Sequence, residues 1–321
     1  MSTNISPLYA MKEIKESWAL IQHASHVTLL SHNDPDADGM SACTALAYIL
    51  ERAGKKVETI YPNQPEFPLQ RQPSTVLIAQ HRQTPDLIII VDTARIERAY
   101  YPQEFVKIPM INIDHHRSNS IKGLFNFVNP EAASACEDLF TIIHAWNATL
   151  IDRYVAENLL CGILYDSQIF QTSSTTERTL EIALNLMQRG ANLFELKEEL
   201  TSSKNPHIIE LWSKILATVK LSPSKKSAWV CITQNDMKTA NAQLSSLVGL
   251  NNFIGQICGI DVTATFYQTD KGTVKVSFRS KITDVNALAA QFGGGGHKHA
   301  AGITLAEPFD MAVKKVTALL P

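Results

Sequence analysis

Short β-branched runs alternate with longer amphipathic stripes along most of the chain. Over residues 11–24, Ile14, Trp18 and Ile21 fall on one helical face, with Leu20 at its border. Val27-Thr28-Leu29-Leu30 predicts a first strand over 26–31. Met40 to Leu50, rich in small and apolar residues, predicts a helix, with Gly54 as its stop. Lys56 to Tyr61 reads as a second strand, and 62–75, with four prolines, as an irregular loop. Asp86 to Thr93 encloses a continuous apolar run without alternation, the mark of a strand buried on both faces. Met110 to Ile113 is another short strand. Helices are predicted over 131–146, 152–165 and 176–189, the last stopping at Gly190. The alternation predicts an α/β domain with a doubly wound, mostly parallel sheet, in which ligands sit beyond the carboxyl ends of the strands.

Past residue 190 the pattern changes. Residues 191–220 read as helical with polar interruptions, and 221–226 as a connector. Strands near 228–233, 261–268 and 273–279 and a helix over 284–291 predict a second, smaller α/β domain. Thr273 to Phe278 alternates with period 2, so one face is expected to be solvated. The expected division is 1–195, a helical linker over 196–226, and 227–321.

Composition narrows the classes. The 321 residues suffice for two domains with proper cores. A net charge of −2 supplies no global field for long duplex nucleic acid or an anionic membrane. The five cysteines (Cys43, Cys136, Cys161, Cys231, Cys258) are scattered, without a C-x-x-C. That argues against a disulfide framework or zinc ribbon and fits a reducing compartment. There is no signal-peptide pattern, and no apolar run reaches the ~18 residues of a membrane span. A cytoplasmic location is expected.

The chemistry concentrates in His32-Asn33-Asp34-Pro35-Asp36-Ala37-Asp38-Gly39, between the first strand and the helix after it. His32, Asp36 and Asp38 are spaced H-x-x-x-D-x-D, and Pro35 and Gly39 supply turn chemistry. Such a loop can aim its groups at divalent ions, but an Asp before a helix equally serves as its N-cap. Convergence with other segments weights the first reading. Asp92 and Asp114-His115-His116 also fall at strand carboxyl ends, and Asp166 ends a helix from which it could reach the same crevice. Asp36, Asp38, Asp92 and Asp166 would bring four negative charges together, which two divalent cations would balance. With the imidazoles of His32 and His115, the donors suit Mn²⁺, with Fe²⁺, Co²⁺ or Zn²⁺ as alternatives. Two such ions, roughly 3.5–4 Å apart, can clamp an in-line displacement at phosphorus. In the second domain, Gly293-Gly294-Gly295-Gly296-His297 offers close backbone approach and N–H groups for an anion, or simply a flexible loop. Arg279, at a strand end, can grip a phosphate bidentately, though a lone Arg at such a place is more often solvated.

These residues carry a resemblance. Asp114-His115-His116 resembles the signature of the DHH phosphoesterase superfamily, and His32-x-x-x-Asp36-x-Asp38, Asp92 and Asp166 follow its other motifs in order. The Gly293–His297 run resembles the DHH-associated domain, so the likeness spans nearly the whole chain. In size it is most similar to the bacterial nano-RNase/pAp phosphatase and cyclic-di-AMP/pApA phosphodiesterase group. Many relatives read Asn-Pro-Asp-Gly-Asp-Ala where this chain has Asp34-Pro35-Asp36-Ala37-Asp38-Gly39; the ligand spacing survives, and Asp34 is not counted as a ligand.

The resemblance implies one metal held by His32, Asp36 and Asp92, and a second by Asp38, Asp92, His115 and Asp166. His116 would polarise the substrate phosphate, and Asp114 would orient the histidines. Substrate contacts would come from His116, Arg279, Ser280, Gly294, Gly295, Gly296 and His297, with the second domain closing over the metals. The implied activity is Mn²⁺-dependent hydrolysis of short nucleotides: nano-RNA, pAp, pApA or cyclic-di-AMP. Partners are then short RNA and nucleotides, with no long duplex and no membrane; a homodimer is compatible. The rival readings are a RecJ-like single-strand exonuclease, a family II inorganic pyrophosphatase and a non-hydrolytic nucleotide-binding module.

Overall fold

A computed structural model of the chain describes residues 9–65, 71–201, 206–247, 249–269 and 272–321. They form two compact units, Met1–Ser202 and Ser203–Pro321.

In the first unit the order is α1 (Met11–His23), β1 (His26–Leu30), α2 (Ala37–Arg52), β2 (Lys56–Tyr61), β3 (Val76–Ile78), β4 (Leu87–Val91), β5 (Met110–Asp114) and β6 (Phe125–Val128). Then come α3 (Ala135–Asn147), α4 (Arg153–Asp166), α5 (Glu177–Gln188) and α6 (Leu193–Thr201). All six strands are parallel, in the order β3-β2-β1-β4-β5-β6. The direction of winding reverses between β1 and β4, which opens a crevice at their carboxyl ends.

The apolar run of β4 is buried throughout. Leu87, Ile89 and Val91 face the helical layer, beside Leu46 of α2 and Leu160 of α4. Ile88 and Ile90 face a thinner cover that includes Phe105 and Ile121. Burial of each isoleucine contributes on the order of 1.5–3 kcal/mol. The edge strands β3 and β6 were not predicted, because three or four residues give periodicity too little to register. Helix α3 starts at Ala135 rather than 131, because the Ser134 side chain accepts the Glu137 N–H and caps it there.

The second unit contains α7 (Pro206–Leu216), β7 (Lys220–Leu221), β8 (Ser227–Ile232), α8 (Gln234–Thr239), α9 (Leu250–Ile254), β9 (Val262–Gln268) and β10 (Val274–Ser280). It ends with α10 (Val285–Ala290), β11 (Gly295–His297), β12 (Ala300–Leu305) and α11 (Phe309–Thr317). The sheet is mixed, ordered β11-β12-β10-β9-β8-β7, with β8 and β9 parallel and the other pairs antiparallel. In β10 buried and partly exposed positions alternate, as its period predicts.

The stretch 196–226, read from sequence as a linker, is divided between the units. Leu196 of α6 joins the core of the first, while Leu211 and Ile215 of α7 pack with Val230 and Ile254 in the second. An amphipathic helix beside a core buries its apolar stripe there rather than leave it in water. Among the described residues, no helix is long and apolar enough to cross a membrane.

Candidate metal centre

The crevice between β1 and β4 is where the ionisable residues gather. Asp36 caps α2: its Oδ1 accepts the N–H groups of Asp38 at 3.0 Å and Gly39 at 3.3 Å. The same oxygen stands 3.9 Å from His32 Nε2. The helix cap and the candidate ligand of this loop are therefore one and the same carboxylate. Asp92 follows β4 in a left-handed conformation, φ 50°. For a non-glycine residue this costs of order 1–3 kcal/mol and persists only where the surroundings enforce it. Here the Asp92 N–H is tied to the Ile113 carbonyl at 3.0 Å. Asp92 Oδ2 lies 3.3 Å from His32 Nε2, and Oδ1 lies 3.5 Å from His115 Nε2 and 3.7 Å from His116 Nδ1. Its two oxygens thus address two different groups of side chains.

Strand β5 delivers the Asp-His-His triplet. Asp114 is fully buried; its Oδ1 accepts the His115 N–H at 2.9 Å and His116 Nδ1–H at 2.7 Å. Its Oδ2 accepts from Asn119 Nδ2. His115 Nδ1–H donates to the Ala132 carbonyl at 3.4 Å, which turns Nε2 towards Asp92 and, at 3.2 Å, Asp166 Oδ2. Asp38, also fully buried, accepts the first amides of α3, Ala135 N–H at 2.7 Å on Oδ2 and Cys136 N–H at 3.1 Å on Oδ1. Asp166 is the last residue of α4. Beyond it the chain leaves through three successive left-handed residues, Gln168, Ile169 and Phe170. Ile169 and Phe170 pack against the core, which holds the turn in place.

Three groups of donor atoms therefore lie within 4.8 Å of one another: His32, Asp36 and Asp92; Asp38, His115 and Asp166; and Asp92, His115 and His116. Their electrostatics show a shortage of positive charge. Burial disfavours the charged form of His32, yet hydrogen bonds to Asp36 and Asp92 push it up to about 10. His115 is raised too, Asp166 and Asp92 outweighing its burial. Burial pushes the Asp166 carboxyl up to about 6 against the pull of His115, and burial with Asp166 and Asp92 nearby raises Asp38 well above its ordinary value. Burial acts against ionisation of Asp92 as well, but the His115 and His32 imidazoles hold it well below the usual range. The protein alone draws in protons, and divalent cations would fit the same need.

In the second unit, Arg279 of β10 pairs in register with Ala300 of β12, and Ala300 with His297 of β11. Arg279 and His297 thus share one cross-sheet row, roughly 10 Å apart at the backbone. Arg279 Nη1 donates to the Phe278 carbonyl at 2.9 Å. Ser280 Oγ donates to the Thr283 carbonyl and lies 3.2 Å from His299 Nδ1. The glycine run is a strand edge rather than a flexible loop: a Cβ on Gly294 would overlap the Gly302 carbonyl, and one on Gly296 the Ala300 carbonyl. Close strand pairing requires these two glycines. Gly295 has room, with Asn286 Oδ1 3.7 Å from where its Cβ would stand. The side chain of His297 lies outside the described residues.

The N-terminal domain of the DHH family matches residues 26–163, and the DHHA1 domain matches residues 225–320. The chain belongs to the DHH family. It is 29% identical over 290 residues to the bifunctional oligoribonuclease and PAP phosphatase NrnA of Bacillus subtilis, covering 87% of this chain and 89% of that one. To the NrnA of Thermus thermophilus it is 28% identical over 301 residues, covering 87% and 84%. A crystal structure of an exopolyphosphatase-related protein from Bacteroides fragilis shares the fold, with TM-score 0.87, 22% identity and coverage of 98% and 96%.

Several residues that shape the DHH domain's site carry no ligand-type signal in sequence. A Cβ on Gly39 would overlap Ser31 Oγ and stand 3.1 Å from Asp92 Oδ2. One on Gly162 of α4 would overlap Asp38 Oδ1 and Cys136 Sγ. Asn119 and the Ala132 carbonyl, which hold Asp114 and His115, are equally silent. The Ser134-x-x-Glu137 spacing was the available sign that a helix N-terminus enters the site. Arg98 donates from Nε to Asn33 Oδ1 at 3.1 Å and lies 3.8 Å from Asp34 Oδ2. Asp34, the acid not counted as a ligand, faces that arginine.

Proposed function

We propose that this DHH-family phosphoesterase hydrolyses short nucleotides, oligoribonucleotides and pAp, at a centre of two divalent cations, Mn²⁺ by preference. The observation that carries the reading is the position of Asp92, whose oxygens face His32 on one side and His115 on the other. In this reading His32, Asp36 and Asp92 hold one cation, and Asp38, Asp92, His115 and Asp166 the other. When bound, such a pair supplies an acidified water and charge stabilisation at the phosphoryl oxygens.

The chain's own residues supply the rest. Asp114 takes the His116 Nδ1–H and fixes the ring, so that Nε2 is the nitrogen aimed at a phosphoryl oxygen. The Ala132 carbonyl holds the His115 proton on Nδ1, keeping the Nε2 lone pair for a cation. Burial of Asp38 and Asp92 keeps bulk water from competing for their oxygens. In the DHHA1 domain, Arg279, Ser280, His297 and the backbone of Gly294, Gly295 and Gly296 at the start of edge strand β11 bind a further phosphate of the substrate, although the Gly294 N–H itself donates to the Ala289 carbonyl at 3.0 Å. The substrate class rests on the B. subtilis and T. thermophilus relatives, which carry both activities in their names.

The test is a substrate panel with purified protein and Mn²⁺: pAp, pApA, cyclic-di-AMP, pyrophosphate, and RNA and DNA of two to about twenty nucleotides. Fastest turnover of short RNA and pAp is expected. Preference for long single-stranded DNA would favour a RecJ-like role, and preference for pyrophosphate a family II pyrophosphatase. Binding of dinucleotides without turnover by the metal-loaded protein would favour a non-hydrolytic module.

A further inference from the structure

Glu137 lies on α3, outside every donor group of the centre, and is 1% exposed. A buried carboxylate is costly unless its hydrogen bonds are satisfied, and capping α3 does not explain it, since Ser134 already does that. Its Oε2 accepts the Ala133 N–H at 3.1 Å and the Thr179 hydroxyl at 2.8 Å, and Oε1 stands 3.9 Å from Arg178 Nε. Ala133 is the middle of a segment in which neighbouring residues serve the centre. The Ala132 carbonyl receives His115 Nδ1–H. The Ala135 and Cys136 amides bind the two oxygens of Asp38. The segment is also fixed at its start, where the Asn129 N–H donates to the Asp114 carbonyl at 3.0 Å and Asn129 Nδ2 donates to Asp138 Oδ1 at 3.1 Å.

We infer that Glu137 is a positioning residue for the Asp38–His115–Asp166 group: by holding the Ala133 amide, it sets the carbonyl that orients His115 and the amides that orient Asp38. Among the described residues, no hydrogen bond joins this segment directly to His32, Asp36 or Asp92. Loss of the Glu137 oxygen therefore loosens one half of the centre and spares the other. This rests on the two-cation reading above. The Ala132 carbonyl is the direct partner of His115, and a direct partner of a ligand is worth about 10–100-fold in metal affinity; Glu137 acts through it, on the N–H of the same peptide unit.

The experiment is calorimetric titration of Mn²⁺ into the metal-free full-length protein, with circular-dichroism melting of the same samples. Wild type is expected to take up two equivalents. E137A is expected to keep one at wild-type affinity and to bind the second about 10–100-fold more weakly. E137Q, which keeps an acceptor oxygen, is expected to restore the second. E137D keeps the charge but withdraws the oxygen by one methylene; it is expected to behave as E137A and decides the matter if E137A does not fold. Two equivalents at wild-type affinity in E137A or E137D overturn the inference alone, as does E137Q binding no better than E137D. A wild type that takes up no Mn²⁺ overturns the two-cation reading and the inference with it.

Discussion

The two candidate sites of this chain are built from different materials. In the DHH domain, polar side chains are buried or half-buried and each is held by a second group: Asp38 by two amides, His115 by a carbonyl, His116 by Asp114. In the DHHA1 domain the corresponding stretch is backbone at a sheet edge, beside Arg279 and Ser280. The difference follows from the tasks proposed for them. Chemistry at phosphorus needs donors fixed before the substrate arrives, because reorganisation during the reaction would cost rate. Recognition of a phosphate needs only a place where N–H groups and a guanidinium can meet oxygens. Damage to the first site should therefore abolish function, and damage to the second should grade it.

The largest effect is expected at the shared carboxylate. Asp92→Ala should remove turnover by more than the ~10²–10³ that a single transition-state donor is worth, and should weaken uptake of both cations. Near-normal kcat with two bound ions would show that Asp92 is not shared.

Next comes the pH dependence of the metal-free fold. The folded His32 value of about 10 exceeds the ordinary 6.5, so its stabilisation is whole below pH 6.5 and is lost as pH rises through 10. Asp166, raised from 3.8 to about 6, acts in the same direction; its contribution is whole below pH 3.8 and is lost through pH 6. Asp92 is depressed and opposes them at the acid end, contributing above pH 3.8 and losing that contribution as pH falls through its depressed value. Thermal melts of metal-free protein should thus lose stability from pH 6.5 to 10, and Mn²⁺ should abolish that loss by displacing the protons. An unchanged alkaline loss with Mn²⁺ present would separate the protons from the cations.

The glycine run offers a contrast within the second site. Gly296→Ala must push against the Ala300 carbonyl and should destabilise the DHHA1 domain by about 1–3 kcal/mol. Gly295→Ala has room and should leave the melt unchanged. Equal melts for the two would contradict the strand pairing. The smallest effect is expected for Arg279→Ala, a rise in KM of about tenfold for substrates with a second phosphate, at near-constant kcat. A fall in kcat with constant KM would place Arg279 with the chemistry instead.

Much of this was written plainly in the sequence. The unbroken apolar run of β4 announced a strand covered on both faces, and Gly54 and Gly190 marked the ends of α2 and α5. The order of His32, Asp36, Asp38, Asp92, Asp114–His116 and Asp166 carried the resemblance to a family, because several motifs in one order are far more specific than any of them alone. The edge strands β3 and β6 were not legible, and neither was the division of 196–226 between two cores. Short edges lack a period, and a helix's side is chosen by what it packs against.

Sequence by itself determined which residues are chemically able to form the centre and the topology that sends them to one end of a sheet. Only the tertiary structure decided how they are held. That Asp36 is both cap and candidate ligand, that Gly162 makes room for Asp38, and that the start of α3 supplies its amides are matters of distance between segments far apart in the chain. Local sequence encodes dihedral preference and polarity; it does not encode which backbone amide a buried carboxylate will meet. That meeting is fixed by packing, and packing is a property of the whole domain.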